Sequence, residues 1–105
     1  MTTSDSRHLD RMSQAIAAAR TGKIGLTRLA DELLFLRDAL DSVDQDWANQ
    51  LTIQIATLES AGLASAEQQA EMGDAYGKVV RETIDAVEQL ISRLPRGGDS
   101  KSQGR

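Results

Sequence analysis

The chain has 105 residues, of which 40% are apolar and 27% charged, with a formal net charge of −4 and no cysteine. A chain of this length folds as one domain around its own core, and without cysteine it has neither a disulfide framework nor a thiolate metal site. One proline, one residue each of Trp, Tyr and Phe, and many Ala, Leu, Glu, Gln and Arg favour helix over sheet, so the expected class is all-α, a small antiparallel bundle of four helices.

In chain order, the polar opening MTTSDSRHLD is unlike a signal peptide, and residues 1–6 read as a flexible leader. A first helix is predicted over residues 7–21, with Ser6 as its N-cap. Leu9, Met12, Ile16 and Ala19 recur at three- and four-residue steps and give it one buried face. Gly22 is a natural stop, because glycine enters the left-handed region without a Cβ penalty.

The second helix, 26–42, has the clearest pattern. Leu26, Leu29, Leu33, Leu36, Leu40 and Val43 follow a heptad-like spacing of alternating three and four. Gly25 or Thr27 stands at its start, and Ser42 to Asp44 make the turn. Asp44 suits the N-cap of a third helix, 45–61, with Asp46 in the first turn against the positive end of the helix dipole. Trp47, Leu51, Ile55 and Leu58 share its core face, and Gly62 is read as its terminator.

Ser65 and Gln68 have capping-box spacing and open a fourth helix, 66–94. Gly73 and Gly77 weaken its beginning, so a start near residue 72 stays open. Tyr76, Val80, Thr83, Val87, Leu90 and Leu94 form a stripe broadened by Val79, Ile84 and Ile91. Residues 95–105, beginning at Pro95, read as a disordered basic tail. Residues 7–94 are thus the single domain, and its short turns set neighbouring helices antiparallel.

Charge is unevenly spread. Residues 24–71 hold nine acids and two bases, net −7, while the remainder holds seven acids and ten bases, net +3. An acidic middle argues against nucleic acid as partner, and no apolar run is long enough to span a bilayer. A basic protein and a cytoplasmic location fit better.

Signatures of catalysis are weak. The only histidine, His8, is expected to be exposed and has no nucleophile or carboxylate partner to work with. A calcium loop counted from Asp44 puts Ala48, Asn49 and Ile55 where a ligand, a glycine and the closing glutamate belong. The Glu-x-x-His pairs of di-iron bundles do not occur. Neither enzyme, metal site nor cofactor is expected.

On a helical wheel Asp31 and Asp38 lie almost opposite the leucine stripe, with Phe35 on the same outer half and Leu34 on the other flank. Ile53 is likewise off the stripe of the third helix, near the Asp46 side. An aromatic anchor within a charged rim is interface composition, which makes Asp31, Phe35, Asp38, Asp41, Asp44, Asp46 and Ile53 the candidate partner-binding residues. Two readings stand together here. These apolar residues either contact a partner, a basic protein or a second copy in a self-associating module, or pack on a second neighbour within the bundle, leaving the aspartates merely solvated.

The run Gly22-Lys23-Ile24-Gly25-Leu26-Thr27-Arg28-Leu29, continued by Leu33, Leu36, Asp38-Ala39-Leu40, Val43-Asp44, Trp47 and Leu58-Glu59, resembles small helical immunity proteins of bacterial polymorphic toxin and contact-dependent growth inhibition systems. The resemblance covers about residues 20–60, and Gly25 departs from the Ser or Thr expected to cap the helix there. It implies binding and neutralisation of a cognate toxin domain, a basic nuclease-type toxin, by carboxylates that steer association and an anchor that holds the complex.

Overall fold

The leucine spacing of the second helix has a direct structural consequence: Leu29, Leu33, Leu36 and Leu40 are all buried. Each such side chain contributes roughly 1.5–3 kcal/mol by leaving water. The computed structural model describes residues 3–40 and 43–94. Asp41 and the tail 95–105 lie outside the described residues, as do the first two residues of the expected leader.

Among the described residues the chain is all-helical, with five helices: α1 (Thr3–Arg20), α2 (Leu26–Ala39), α3 (Gln45–Leu63), α4 (Ala66–Met72) and α5 (Asp74–Ser92). The expected helix over 66–94 is in fact two. Gly73, at φ 57° and ψ −132°, closes α4 and opens α5, a conformation that breaks the helical path. The box at Ser65 is complete, its hydroxyl accepting from the Gln68 amide at 3.1 Å and its own amide donating to Gln68 Oε1 at 2.9 Å.

Other boundaries also move. α1 begins at Thr3, so part of the expected leader is helical and Ser6 lies inside the helix instead of capping it. Its C-terminus is a full Schellman motif: the Gly22 amide donates to Ala19 O at 3.2 Å and the Lys23 amide to Ala18 O at 2.8 Å, with Gly22 at φ 79°. α2 ends at Ala39, three residues early, because Leu40 turns to extended backbone while its side chain stays in the core. α3 runs two residues past the expected end and carries Gly62 within it.

One core joins the elements. Leu9, Met12 and Ile16 of α1 meet the α2 leucines, Trp47, Leu51, Ile55 and Leu58 of α3, and Ile84, Val87, Leu90 and Ile91 of α5. α1 packs on α2, α2 on α3, α3 on α5 and α5 on α1, while α4 touches α5 alone and buries no residue. Two bonds fix α3 against α5. Trp47 Nε1 donates to Leu90 O at 2.7 Å, and the Tyr76 hydroxyl donates to Ala61 O at 2.7 Å. Trp47 is core as expected, whereas Tyr76 is half-buried. Arg20 ties α1 to α5 through Asp85 at 2.8 Å and Glu88 at 2.6 Å, so these α5 carboxylates reach across the fold.

Candidate protein-binding interface

Phe35 is 69% exposed on a helix whose Leu29, Leu33 and Leu36 are buried. It does not pack on a second neighbour. Its ring borders a cavity of about 350 Å³ between α1 and α2, lined also by Arg11, Arg28, Asp31, Glu32 and Leu36. A second hollow of about 230 Å³ shares Arg11 and Glu32 and continues along the helix pair to Ile24. On the α1 side the second hollow is lined by Arg11, Gln14, Ala15 and Ala18, and the two alanines are too small to fill the space beside α2.

The aspartates differ in what they do. Asp31 lines the Phe35 cavity. Asp38 Oδ1 accepts from Arg37 Nη2 at 2.6 Å, and Arg37 Nη1 also donates to Thr52 Oγ1, so this carboxylate belongs to a bridge between α2 and α3. Asp44 caps α3, its Oδ2 accepting from the amides of Asp46 at 3.1 Å and Trp47 at 3.3 Å. Asp46 occupies the first turn of α3, exposed, where its charge meets the positive end of the helix dipole.

Ile53 is 62% exposed but belongs to another face. Thr52, bonded to Arg37, marks the side of α3 that meets α2, and Thr57, Ser60 and Ala61 line a cavity shared with Met72, Tyr76 and Val79. At 100° per residue Ile53 lies about 40° from Thr57 and about 100° from Thr52. It therefore looks out along the α3/α5 side. Because α1/α2 and α3/α5 are opposite sides of the ring of long helices, the structure does not assemble Phe35 and Ile53 into one patch. Leu34 is exposed as well, about 100° round α2 from Phe35.

Electrostatics around Phe35 are mixed. Arg28 Nε holds Glu32 Oε2 loosely at 3.3 Å, and Arg11 stands where the two hollows meet. Arg11 escaped sequence reasoning, because nothing in the sequence says which flank of α1 will border α2. Val79 had a visible signal, its place at the edge of the α5 stripe, but exposure could not be read from it. At the far end of α1, Arg20 has its pKa raised by hydrogen bonds to Asp85 and Glu88. His8 is half-buried, not exposed as expected, and its buried Nδ1 has no hydrogen-bond partner.

Among the described residues no three His, Asp or Glu side chains are grouped to hold a metal ion, and no helix is long and apolar enough to cross a membrane. The chain matches no protein-family model, and no curated protein or solved structure is significantly similar to it.

Proposed function

We propose that this chain is a cytoplasmic immunity protein, which binds a cognate toxin domain through its α1/α2 face and blocks it without chemistry of its own. The observation that carries the reading is Phe35: a large aromatic ring in water, beside an open furrow, on a helix that puts Leu29, Leu33 and Leu36 in the core. Leaving such a ring exposed forgoes the roughly 2–3 kcal/mol that burial would give, which is reasonable if a partner buries it. The long helices α1, α2, α3 and α5 form an antiparallel up-and-down bundle, which sets the α1/α2 face on a rigid support.

The partner's surface is basic where it meets Asp31 and Asp38, and these carboxylates speed its approach. Arg11 and Arg28 fix the register by rejecting cations on the other flank of the ring. The resemblance of residues 20–60 to immunity proteins supports the same reading. The deciding experiment is co-expression with a candidate toxin domain taken from an adjacent reading frame. Growth rescue together with a purified one-to-one complex is the expected result, and rescue or complex formation indifferent to Phe35→Asp would sink the assignment.

A further inference from the structure

We propose that the furrow between α1 and α2 seats an amphipathic helix of the partner, with an acid on its flank facing α1 and a base on its flank facing α2. The proposal rests on the toxin-binding reading and specifies what fills that site. α1 lines the two hollows with Arg11, Gln14, Ala15 and Ala18, and α2 lines them with Arg28, Asp31, Glu32 and Phe35. Both sets follow i, i+3, i+4, i+7 spacing, so each helix turns one stripe of two turns, about 10 Å long, toward the same trough. A trough between two packed helices takes a third, whose ridge of side chains fits between the stripes. A second copy meeting it through the same face would bring another trough, and two hollows set face to face leave a void.

Charge decides which helix. Arg28 and Glu32 hold each other, Nε to Oε2 at 3.3 Å, and need little from outside. Arg11 and Asp31 are exposed and line one cavity of about 350 Å³. Among the described residues neither forms an ion pair or hydrogen bond, with the other or with anything else. The furrow thus carries one uncompensated cation on its α1 wall and one uncompensated carboxylate on its α2 wall.

A helix with an acid on one flank and a base on the other satisfies both, as charged residues do beside the apolar seam of a coiled coil. Its apolar seam lies over Ala15 and Ala18, small enough to admit it closely, and against the Phe35 ring. Turned end for end, the same helix would set its acid against Asp31 and its base against Arg11. The two charges therefore fix its direction as well.

The probe is a synthetic amphipathic helix of about 14 residues, stapled on its outer face because so short a helix is marginal in water. It carries a leucine seam, Glu on one flank and Lys on the other, and is titrated into the ¹⁵N-labelled full chain. A control helix has Gln on both flanks. Amide shifts confined to α1 and α2 are expected, with the control binding about tenfold more weakly. Arg11→Glu and Asp31→Lys should each weaken the Glu/Lys helix about tenfold, and Arg11→Glu should recover affinity for a helix with Lys on both flanks. Both residues are exposed, so neither substitution should disturb the fold. No binding, shifts centred on α3 and α5, or a control that binds equally well overturns the proposal. If the probe fails while Phe35-dependent growth rescue holds, the helix is wrong and the toxin reading stands. If rescue fails while the probe binds as expected, the toxin reading falls and the helix seat remains.

Discussion

A Cβ placed on Gly62 would stand 2.6 Å from Thr27 Oγ1 and 2.8 Å from the Thr27 backbone nitrogen. The last turn of α3 and the first turn of α2 touch at that point with no room for a side chain. Part of the obstruction is backbone, which cannot swing aside as a flexible side chain can. Gly62→Ala should therefore destabilise the fold by about 1–3 kcal/mol. Gly77 makes the contrast. It is helical without positive φ, and a Cβ there meets nothing nearer than Arg81 Nη1 at 3.6 Å. Gly77→Ala should stabilise by about 0.5–1 kcal/mol, through helix propensity and a less flexible unfolded chain. Urea denaturation followed by the fluorescence of Trp47 measures both.

The same glycine shows where sequence stops informing. Gly22 was legible as a helix end because its role is local: the positive φ and both Schellman bonds lie within six residues. Gly62 looks identical in sequence, yet its role depends on a residue thirty-five positions away. The leucine stripe of α2, the core face of α3, the Asp44 cap and the Ser65 box were legible for the same reason as Gly22, since period and cap are near-neighbour properties. The split at Gly73 was not, because a weak glycine in a helix and a broken helix share one sequence pattern. Asp31 and Phe35 were placed on the outer half of α2 by its wheel alone. Grouping Ile53 with them required knowing that Thr52 faces α2 and Thr57 faces α5, which only the packing fixes.

Trp47 and Leu90 make a second test. The indole Nε1–H donates to Leu90 O at 2.7 Å in a buried setting, joining the start of α3 to the end of α5. Trp47→Phe keeps an aromatic ring in the core but removes the donor. The expected loss is about 1–3 kcal/mol, the cost of a vacated hydrogen bond together with the space the smaller ring leaves. Amide exchange should quicken at the end of α5 before it does in α1.

His8 runs the other way. Its Nδ1 is buried without a partner, and an unpaired buried polar atom costs on the order of 1–3 kcal/mol. His8→Leu removes that atom at similar volume, so the thermal midpoint should rise. A midpoint unchanged or lowered would overturn a cost at the unpaired Nδ1.

Arg20 tests long-range electrostatics. Its hydrogen bond to Asp85, and then that to Glu88, raise its pKa above an ordinary value that is already high. A raised folded pKa contributes its stability in full below the unfolded value and loses it only as pH rises through the folded one. That window lies far into alkali, so the arginine itself adds no pH dependence near neutrality. Arg20→Gln should cost about 0.5–1 kcal/mol at low salt, because both carboxylates are largely in water. The loss should shrink in high salt, and stay constant between about pH 6 and pH 9.

Phe35 separates folding from binding. Truncating a ring that is 69% exposed removes little from the core, so Phe35→Ala should change folding stability by no more than about 0.5 kcal/mol. Leu36, its buried neighbour in sequence, should cost about 2–5 kcal/mol when cut to Ala. Against the proposed toxin partner the order should reverse. Phe35→Ala should raise the dissociation rate by one to two orders of magnitude, the loss of about 2 kcal/mol typical of an aromatic anchor. Among the aspartates the larger effect on association rate belongs to Asp31→Lys. Asp38 already shares its charge with Arg37, so Asp38→Lys should slow association less and also loosen the α2/α3 bridge through Thr52. Surface kinetics at two salt concentrations would read all four variants. If the Asp31 and Asp38 variants associate as fast as the parent at low salt, steering by this face is wrong, whatever becomes of the Phe35 anchor.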